Sequence, residues 1–235
     1  MAEKFIKDTV KIYLNYVKKH FPYSKVEYTK SYLFFNNSFI NLEIIDAYCS
    51  SELIDNIYIT KLLHGLQEQI LLLLNQYPLY HNLVISTIKR NICENILRMT
   101  ISIYSSNLKD EKTISKISFR DLDETIKGLE IYKQDKFKKL IDVFFGYFGE
   151  NSIEMHTNFN SEKSDSIAKL VYLNKELTRQ EVKALNNFSE QIYNFLITFF
   201  PNQFEINDLN FPMSSKKMLH NALGRENYES LFAPN

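Results

Sequence analysis

Residues 83–104 constrain the fold more than any other part of the sequence, because they are apolar around so much of a helix. Two apolar stripes appear at helical spacing: Ile88, Ile92, Ile96, Met99 and Ile103 form the first, and Cys93, Leu97 and Ile101 form the second. A helix with so wide an apolar arc is normally buried between several neighbours. Five glycines and five prolines in 235 residues also favour long helices over turn-rich sheets. The sequence therefore predicts an all-α, single-domain helical bundle with this helix at its centre.

Apolar periodicity and helix-start signals define the helices around it. The predicted helices cover residues 2–21, 51–77, 118–132, 135–148 and 178–200. Ser51 and Ser118 are predicted N-caps, and Thr178 with Glu181 has the pattern of a capping box. Residues 26–48 are ambiguous, because residues 32–35 are β-like while residues 39–47 suit a helix.

Breaks in the helical pattern divide the chain. Gly149 is predicted to interrupt the helix before it, and Pro201 to end the last long helix. We expect residues 1–50 to form a helix and an irregular segment, residues 51–200 the main bundle, and residues 201–235 a small C-terminal helical appendage packed on the same domain. Gly224 is expected to split that appendage into two short helices.

Charge and composition exclude several classes of protein. Lys and Arg number 28, and so do Asp and Glu, which argues against a strongly basic nucleic-acid binder. The longest aliphatic run, residues 70–74, is too short to cross a membrane, and the first residues lack the apolar core of a secretory signal. Cys49 and Cys93 are too few for a disulfide scaffold. We therefore expect a cytoplasmic protein without membrane contact.

Searches for common active-site motifs find none of them. The sequence contains no GxxxxGK[ST], GxGxxG, GxSxG, HExxH or ExxH string. His64 and Glu68 have a spacing that can hold a metal ion, but further ligands are missing. We expect no metal and no cofactor.

Arg90, Glu94 and Arg98 place an acid between two bases at steps of four residues on the central helix. One interpretation is a buried ladder of ion pairs that fixes helix packing, because an unpaired buried charge costs several kcal/mol. The other interpretation is that Glu94 holds one arginine rigidly so that its guanidinium can bind a phosphate. Both interpretations stay open at the level of sequence.

A second polar group follows the predicted break at Gly149. Tyr147, Asn151, Ser152 and His156 would then lie on or beside a short turn. Histidine titrates near neutral pH and is the usual general acid or base, although here it could simply end a helix.

Lys136, Lys138 and Lys139 flank Phe137 and form a basic cluster. They suit either a solvated helix face or a set of phosphate contacts.

The two polar groups together resemble the HEPN superfamily of prokaryotic helical proteins. The resemblance rests on Arg-x-x-x-Glu-x-x-x-Arg at residues 90–98 and on Tyr-x-x-x-x-Ser-x-x-x-His at residues 147–156, and it covers roughly residues 83–200. It implies a dimer of helical bundles. Active members cleave RNA without metal, and members occur in toxin–antitoxin pairs, CRISPR-associated nucleases and phage-defence proteins. Several members have lost the catalytic motif and serve as binding or scaffolding domains.

This sequence departs from the family's catalytic signature, an Arg followed four to six residues later by His. Asn151 matches the polar residue expected upstream of His156, but Glu150 stands where the arginine is expected, and Ile96 stands where Arg90 would need a histidine. We therefore expect a non-catalytic or degenerate module that forms a homodimer and binds RNA or a protein partner encoded nearby. The alternative is a metal-independent ribonuclease that uses His156 with Arg90 or Arg98. A third hypothesis is a sensor with a small ligand between the central helix and the turn at His156.

Overall fold

The computed structural model is a helical bundle, as predicted. It describes residues 2–51, 54, 56–79, 81–105, 111–157, 177–204 and 208–232. Within these ranges there are nine α-helices and no strand. They are α1 Ala2–His20, α2 Tyr28–Cys49, α3 Ile57–Gln76, α4 Asn82–Tyr104, α5 Glu111–Ile114, α6 Phe119–Lys127, α7 Asp135–Thr157, α8 Arg179–Phe204 and α9 Met213–Leu231. Short 3-10 turns cover Glu130–Lys133 and Asp208–Asn210.

Helix α4 lies at the centre of the bundle. It packs against α3 on one side and α7 on the other, while α2 packs against α8, and α9 lies across α1 and α2. Both predicted apolar stripes are buried, with Ile96 on the first and Cys93 on the second almost fully inaccessible. Gly65 on α3 allows a close approach to α4, because a Cβ there would lie 3.1 Å from Asn95 Nδ2.

Local side-chain bonds explain where several helices begin. Ser118 Oγ accepts a hydrogen bond from Asp121 N, as the sequence predicted. Thr178 and Glu181 form the predicted reciprocal capping box, in which Thr178 N donates to Glu181 Oε2 at 2.7 Å and Glu181 N donates to Thr178 Oγ1 at 3.2 Å. The predicted start at Ser51 is wrong, because α3 begins at Ile57 and Asn56 caps it by accepting from two backbone N–H groups.

Two predicted breaks are also wrong. Helix α7 continues through Gly149 to Thr157. A glycine costs a helix only about 1 kcal/mol. Beside Gly149, the buried ring of Phe148 stacks on the ring of Phe119 with 3.5 Å between the ring centres. Helix α8 continues past Pro201 to Phe204, whose ring stacks on Phe200 at 5.6 Å and holds the final turn.

From Tyr28 onward the ambiguous segment 26–48 belongs to one helix, α2, and its aromatic run packs into the core instead of forming a strand. Phe34 and Phe35 are fully buried against Tyr77. At the other end of the chain, Gly224 kinks α9 with a φ of 76°, as the sequence predicted. The sequence also predicts a short extended piece at residues 204–209. Phe204 is instead helical and Asp208–Asn210 form a 3-10 turn, while residues 205–207 lie outside the described ranges.

Candidate functional site

Aromatic contacts fix the relative directions of the three helices that carry the predicted site residues. At one end of the bundle, Phe199 of α8 contacts both Tyr104 of α4 and Phe137 of α7. At the other end, Lys89 of α4 lies over the rings of Tyr147 of α7 and Phe188 of α8. Helices α4 and α8 therefore run parallel to each other, and α7 runs antiparallel to both.

Glu94 and Arg98 form one half of the predicted ladder. Glu94 Oε1 accepts hydrogen bonds from Arg98 Nε at 3.1 Å and from Arg98 Nη2 at 2.8 Å. The same guanidinium donates to the carbonyl oxygens of Ile114 and Ile117, and its side chain is only 12% exposed. Arg98 thus joins α4 to the end of α5 and the residues just after it, and four of its five N–H donors are used in these contacts.

Arg90 lies apart from this ladder. Its guanidinium carbon is 4.7 Å from the centre of the Phe148 ring, and the side chain is half-buried. No carboxylate of the described residues pairs with it, because Glu94 is turned toward Arg98. The structure therefore presents Arg90 as a cation supported by an aromatic face, with no hydrogen-bond partner among the described residues.

Lys89 is a neighbouring cation that sequence reasoning missed. Its Nζ lies 5.4 Å from the Tyr147 ring centre and 5.3 Å from that of Phe188. The signal was present in the spacing, since Lys89 precedes Cys93 by four residues and so extends the second apolar stripe. Burial raises the pKa of the Cys93 thiol to about 12, although the positive charge of Lys89 opposes that rise. The thiol is inert at neutral pH.

The predicted polar residues of α7 are used inside the helix. Asn151 is buried and donates from Nδ2 to the carbonyl of Tyr147, while Ser152 Oγ donates to the carbonyl of Phe148 at 2.7 Å. Burial raises the pKa of the Tyr147 hydroxyl, and the negative charge of Glu150 adds to the rise. These bonds satisfy the polar groups of Asn151 and Ser152 within the helix, whereas the stacking of Phe148 on Phe119 favours a continuous helix across Gly149.

His156 lies in the last turn of α7, and its side chain is outside the described part of the structure. It follows Phe148 by eight residues, a rise of about 12 Å along the helix axis. Arg90 therefore lies about 12 Å from it along the axis. Arg98 lies about 25 Å from His156 along the axis. The start of α4 is level with Tyr147, and from there α4 runs away from the end of α7 that carries His156. The fold does not bring either arginine level with His156 within one chain.

The basic cluster lies at the far end of α7. Lys136, Lys138 and Lys139 are all exposed, and Lys136 is separated from His156 by 20 residues, or about 30 Å of helix. Lys138 Nζ lies 5.8 Å from the Tyr132 ring centre. The cluster is a solvated helix face that lies far from His156.

Other kinds of site find no support among the described residues. Those residues include no group of three or more His, Cys, Asp and Glu side chains that could hold a metal ion, and His64 and Glu68 are both exposed. No described helix is long and apolar enough to span a bilayer. No family model, curated protein or solved structure matches the chain.

Proposed function

We propose that this chain is a non-catalytic HEPN-like module of a prokaryotic stress, toxin–antitoxin or phage-defence system, and that it binds RNA through Arg90. The observation that carries the proposal is the arrangement of Arg90, which lies over Phe148 without a carboxylate partner among the described residues. A guanidinium supported in this way suits the oxygens of a phosphate, which it can bind through two parallel hydrogen bonds. Lys89 adds positive potential one residue away.

The distances along the helices favour binding over cleavage. A general acid or base and a charge-stabilising arginine must both reach the same phosphate. Arg98 is already bonded to Glu94 and two backbone carbonyls. Arg90 lies about 12 Å along the axis from His156. We therefore expect that a ribonuclease would take its arginine from a second chain.

The proposal includes a homodimer in the cytoplasm, together with a protein partner encoded nearby. Support for the dimer comes from the outer face of α7, where Val143 and Ile153 are exposed to 36% and 65%. Support for the cytoplasm comes from Cys49 and Cys93, which are both free thiols. Light scattering at micromolar concentration should give twice the chain mass of 27.8 kDa, and a monomer mass would exclude the dimer.

RNA binding is tested by the fluorescence anisotropy of a labelled single-stranded RNA at several salt concentrations. Arg90→Gln should weaken binding about tenfold or more, because hydrogen bonds to a charged group contribute about 1.5–3 kcal/mol. The slope of log affinity against log salt concentration should also become shallower by about one released counterion. Arg120→Gln is the matched control, since Arg120 loses the same charge at a site that is 87% exposed on α6. Equal affinity of the two variants would refute a role for Arg90.

A further inference from the structure

An apolar groove of about 350 Å³ lies between α1 and α3, and α2 contributes to its base. The base consists of the rings of Tyr13 and Phe39, whose centres are 5.9 Å apart, together with the side chain of Leu74. None of the described residues that line the groove carries a charge. The groove therefore offers a binding partner mainly apolar surface.

The walls of the groove leave large apolar side chains exposed to solvent. Ile12 and Tyr16 on the α1 wall are 70% and 43% exposed, and Leu71 on the α3 wall is 50% exposed. Leu72, next to Leu71, is 40% exposed. Exposed apolar side chains that cluster beside a groove mark a surface on which another molecule packs.

The polar atoms of the lining are largely used within the protein. Tyr13 Oη donates to the carbonyl of Leu74 at 2.8 Å, and Thr9 Oγ1 donates to the carbonyl of Phe5 at 3.1 Å. Two of the three hydroxyls that line the groove are thus already bonded. This lining suits the apolar side chains of a partner protein and does not suit a polar small molecule.

One end of the groove carries positive charge. The last turn of α1 contains Lys18, Lys19 and His20, and the His20 ring lies 4.6 Å from the ring of Tyr16. Lys19 follows Ile12 by seven residues, so it continues the face of α1 that forms the wall. Lys18 and Lys19 are exposed, and neither forms an ion pair with a described acidic residue. Acidic groups on a partner would complement this end of the groove.

The length of the groove fits two turns of a partner helix. Its α1 wall runs from Thr9 to Tyr16, which is about 10 Å along the helix axis. An amphipathic helix presents apolar anchors at positions i, i+4 and i+7 over the same distance. Acidic residues in the first turn of such a helix also interact favourably with its own dipole.

We propose that this groove binds an amphipathic helix of a partner protein. Three apolar side chains of that helix fill the groove, and its acidic first turn lies beside Lys18 and Lys19, so that it runs antiparallel to α1. The inference rests on the proposed function for the existence of a protein partner. The groove itself is built from other helices than those that carry Arg90.

A synthetic helix of defined chemistry tests the proposal by fluorescence anisotropy with the full chain. The probe is a labelled, alanine-based peptide of about 18 residues, long enough to be partly helical alone. It carries leucines at i, i+4 and i+7 and three glutamates in its first turn, and it should bind in the micromolar range. A peptide with lysines in place of the glutamates should bind at least about threefold more weakly at low salt. A peptide of the same composition with its leucines spread around the helix should not bind.

Two apolar wall residues can be replaced with little risk to the fold, because both are at least half exposed. The double variant Ile12→Ser, Leu71→Ser should lose about tenfold or more in affinity for the acidic peptide, since two apolar contacts disappear. The matched control is Ile57→Ser, Leu33→Ser, at an isoleucine and a leucine that are 74% and 55% exposed outside the groove. The control should bind the peptide as the natural chain does, and both variants should keep its Tm.

The charged end of the groove needs its own variant. Lys18→Gln, Lys19→Gln should weaken binding of the acidic peptide about two- to tenfold at low salt and less at high salt. Lys116→Gln, Lys217→Gln removes the same charge from two other exposed positions and is the matched control. It should retain the preference for the acidic peptide over the lysine peptide.

Several outcomes would overturn the proposal. One is that the acidic peptide does not bind at about 1 mM, and another is that the Ile12, Leu71 variant binds it as well as its control does. A dimer mass that falls to a monomer mass in the Ile12, Leu71 variant would assign the groove to a second copy of this chain. Sedimentation with phosphatidylglycerol vesicles that this variant abolishes would assign it to a lipid surface. Arg90→Gln should leave peptide binding unchanged, so failure of the groove and failure of the RNA proposal are distinguishable.

Discussion

Glu94 directs its carboxylate to Arg98 and leaves Arg90 without an acidic partner among the described residues. The two arginines of one sequence motif therefore have different environments. Arg98 is 12% exposed and bonded to backbone carbonyls of the segment after α5, whereas Arg90 lies over Phe148. One arginine stabilises the fold, and the other remains able to contact a ligand.

Replacing Arg98 should reduce stability. Arg98→Ala would leave the carboxylate of Glu94 and the carbonyls of Ile114 and Ile117 without their donor, which should cost about 2–4 kcal/mol of unfolding free energy. Urea denaturation followed by circular dichroism measures this change. Arg120→Ala, at an exposed arginine on α6, should change stability by no more than about 0.5 kcal/mol. Equal stability of the two variants would contradict the structural role of Arg98.

Glycines at different positions should respond differently to alanine. At Gly146 on α7 an added Cβ meets nothing within 4 Å, so Gly146→Ala should stabilise the helix by about 0.5–1 kcal/mol. At Gly65 the new Cβ would lie 3.1 Å from Asn95 Nδ2, so Gly65→Ala should gain less or destabilise the chain. The midpoint of urea unfolding distinguishes the two. A loss of stability at Gly146 would instead indicate that another chain covers this face of α7.

Glu43 should make stability depend on pH. Burial raises the pKa of its carboxyl, with a further contribution from the charge of Asp46, and its Oε2 has no hydrogen-bond partner among the described residues. Because the folded pKa lies above the unfolded one, the folded state binds the proton more tightly, and stability falls as the pH rises above the ordinary glutamate range. Glu43→Gln should therefore stabilise the chain at pH 7 and have little effect at pH 4. Melting temperatures at the two pH values measure this difference, and an equal shift at both would argue against an ionisation effect.

The sequence predicted the bundle and its central helix well, because both depend on apolar periodicity. Residues 83–104 agree with α4 to within one residue at its start. Periodicity could not show that α7 continues through Gly149, since this depends on the tertiary stacking of Phe148 on Phe119. A glycine alone is too weak a signal when the flanking residues are packed.

The candidate site was predicted less completely than the fold. The spacing of Arg90, Glu94 and Arg98 indicated that one acid could serve either base, but only the tertiary structure shows which arginine it binds. That choice depends on carbonyls of Ile114 and Ile117, which are 16 and 19 residues beyond Arg98 and carry no sequence signal.

The last prediction separates binding from cleavage at His156. If the chain is a non-catalytic module, the purified protein should not cleave single-stranded RNA with or without divalent metal, and His156→Ala should leave RNA affinity within about twofold. If it is instead a ribonuclease, His156→Ala should lower the cleavage rate by about 10²–10⁴, the usual contribution of general acid–base catalysis. Since His156 lies about 12 Å along the axis from Arg90, we expect such an enzyme to take its arginine from a second chain. Mixing inactive His156→Ala and Arg90→Gln chains would then restore part of the activity in mixed dimers. Cleavage by the natural chain together with this complementation would refute the non-catalytic proposal, whereas the absence of cleavage with intact, Arg90-dependent RNA binding would support it.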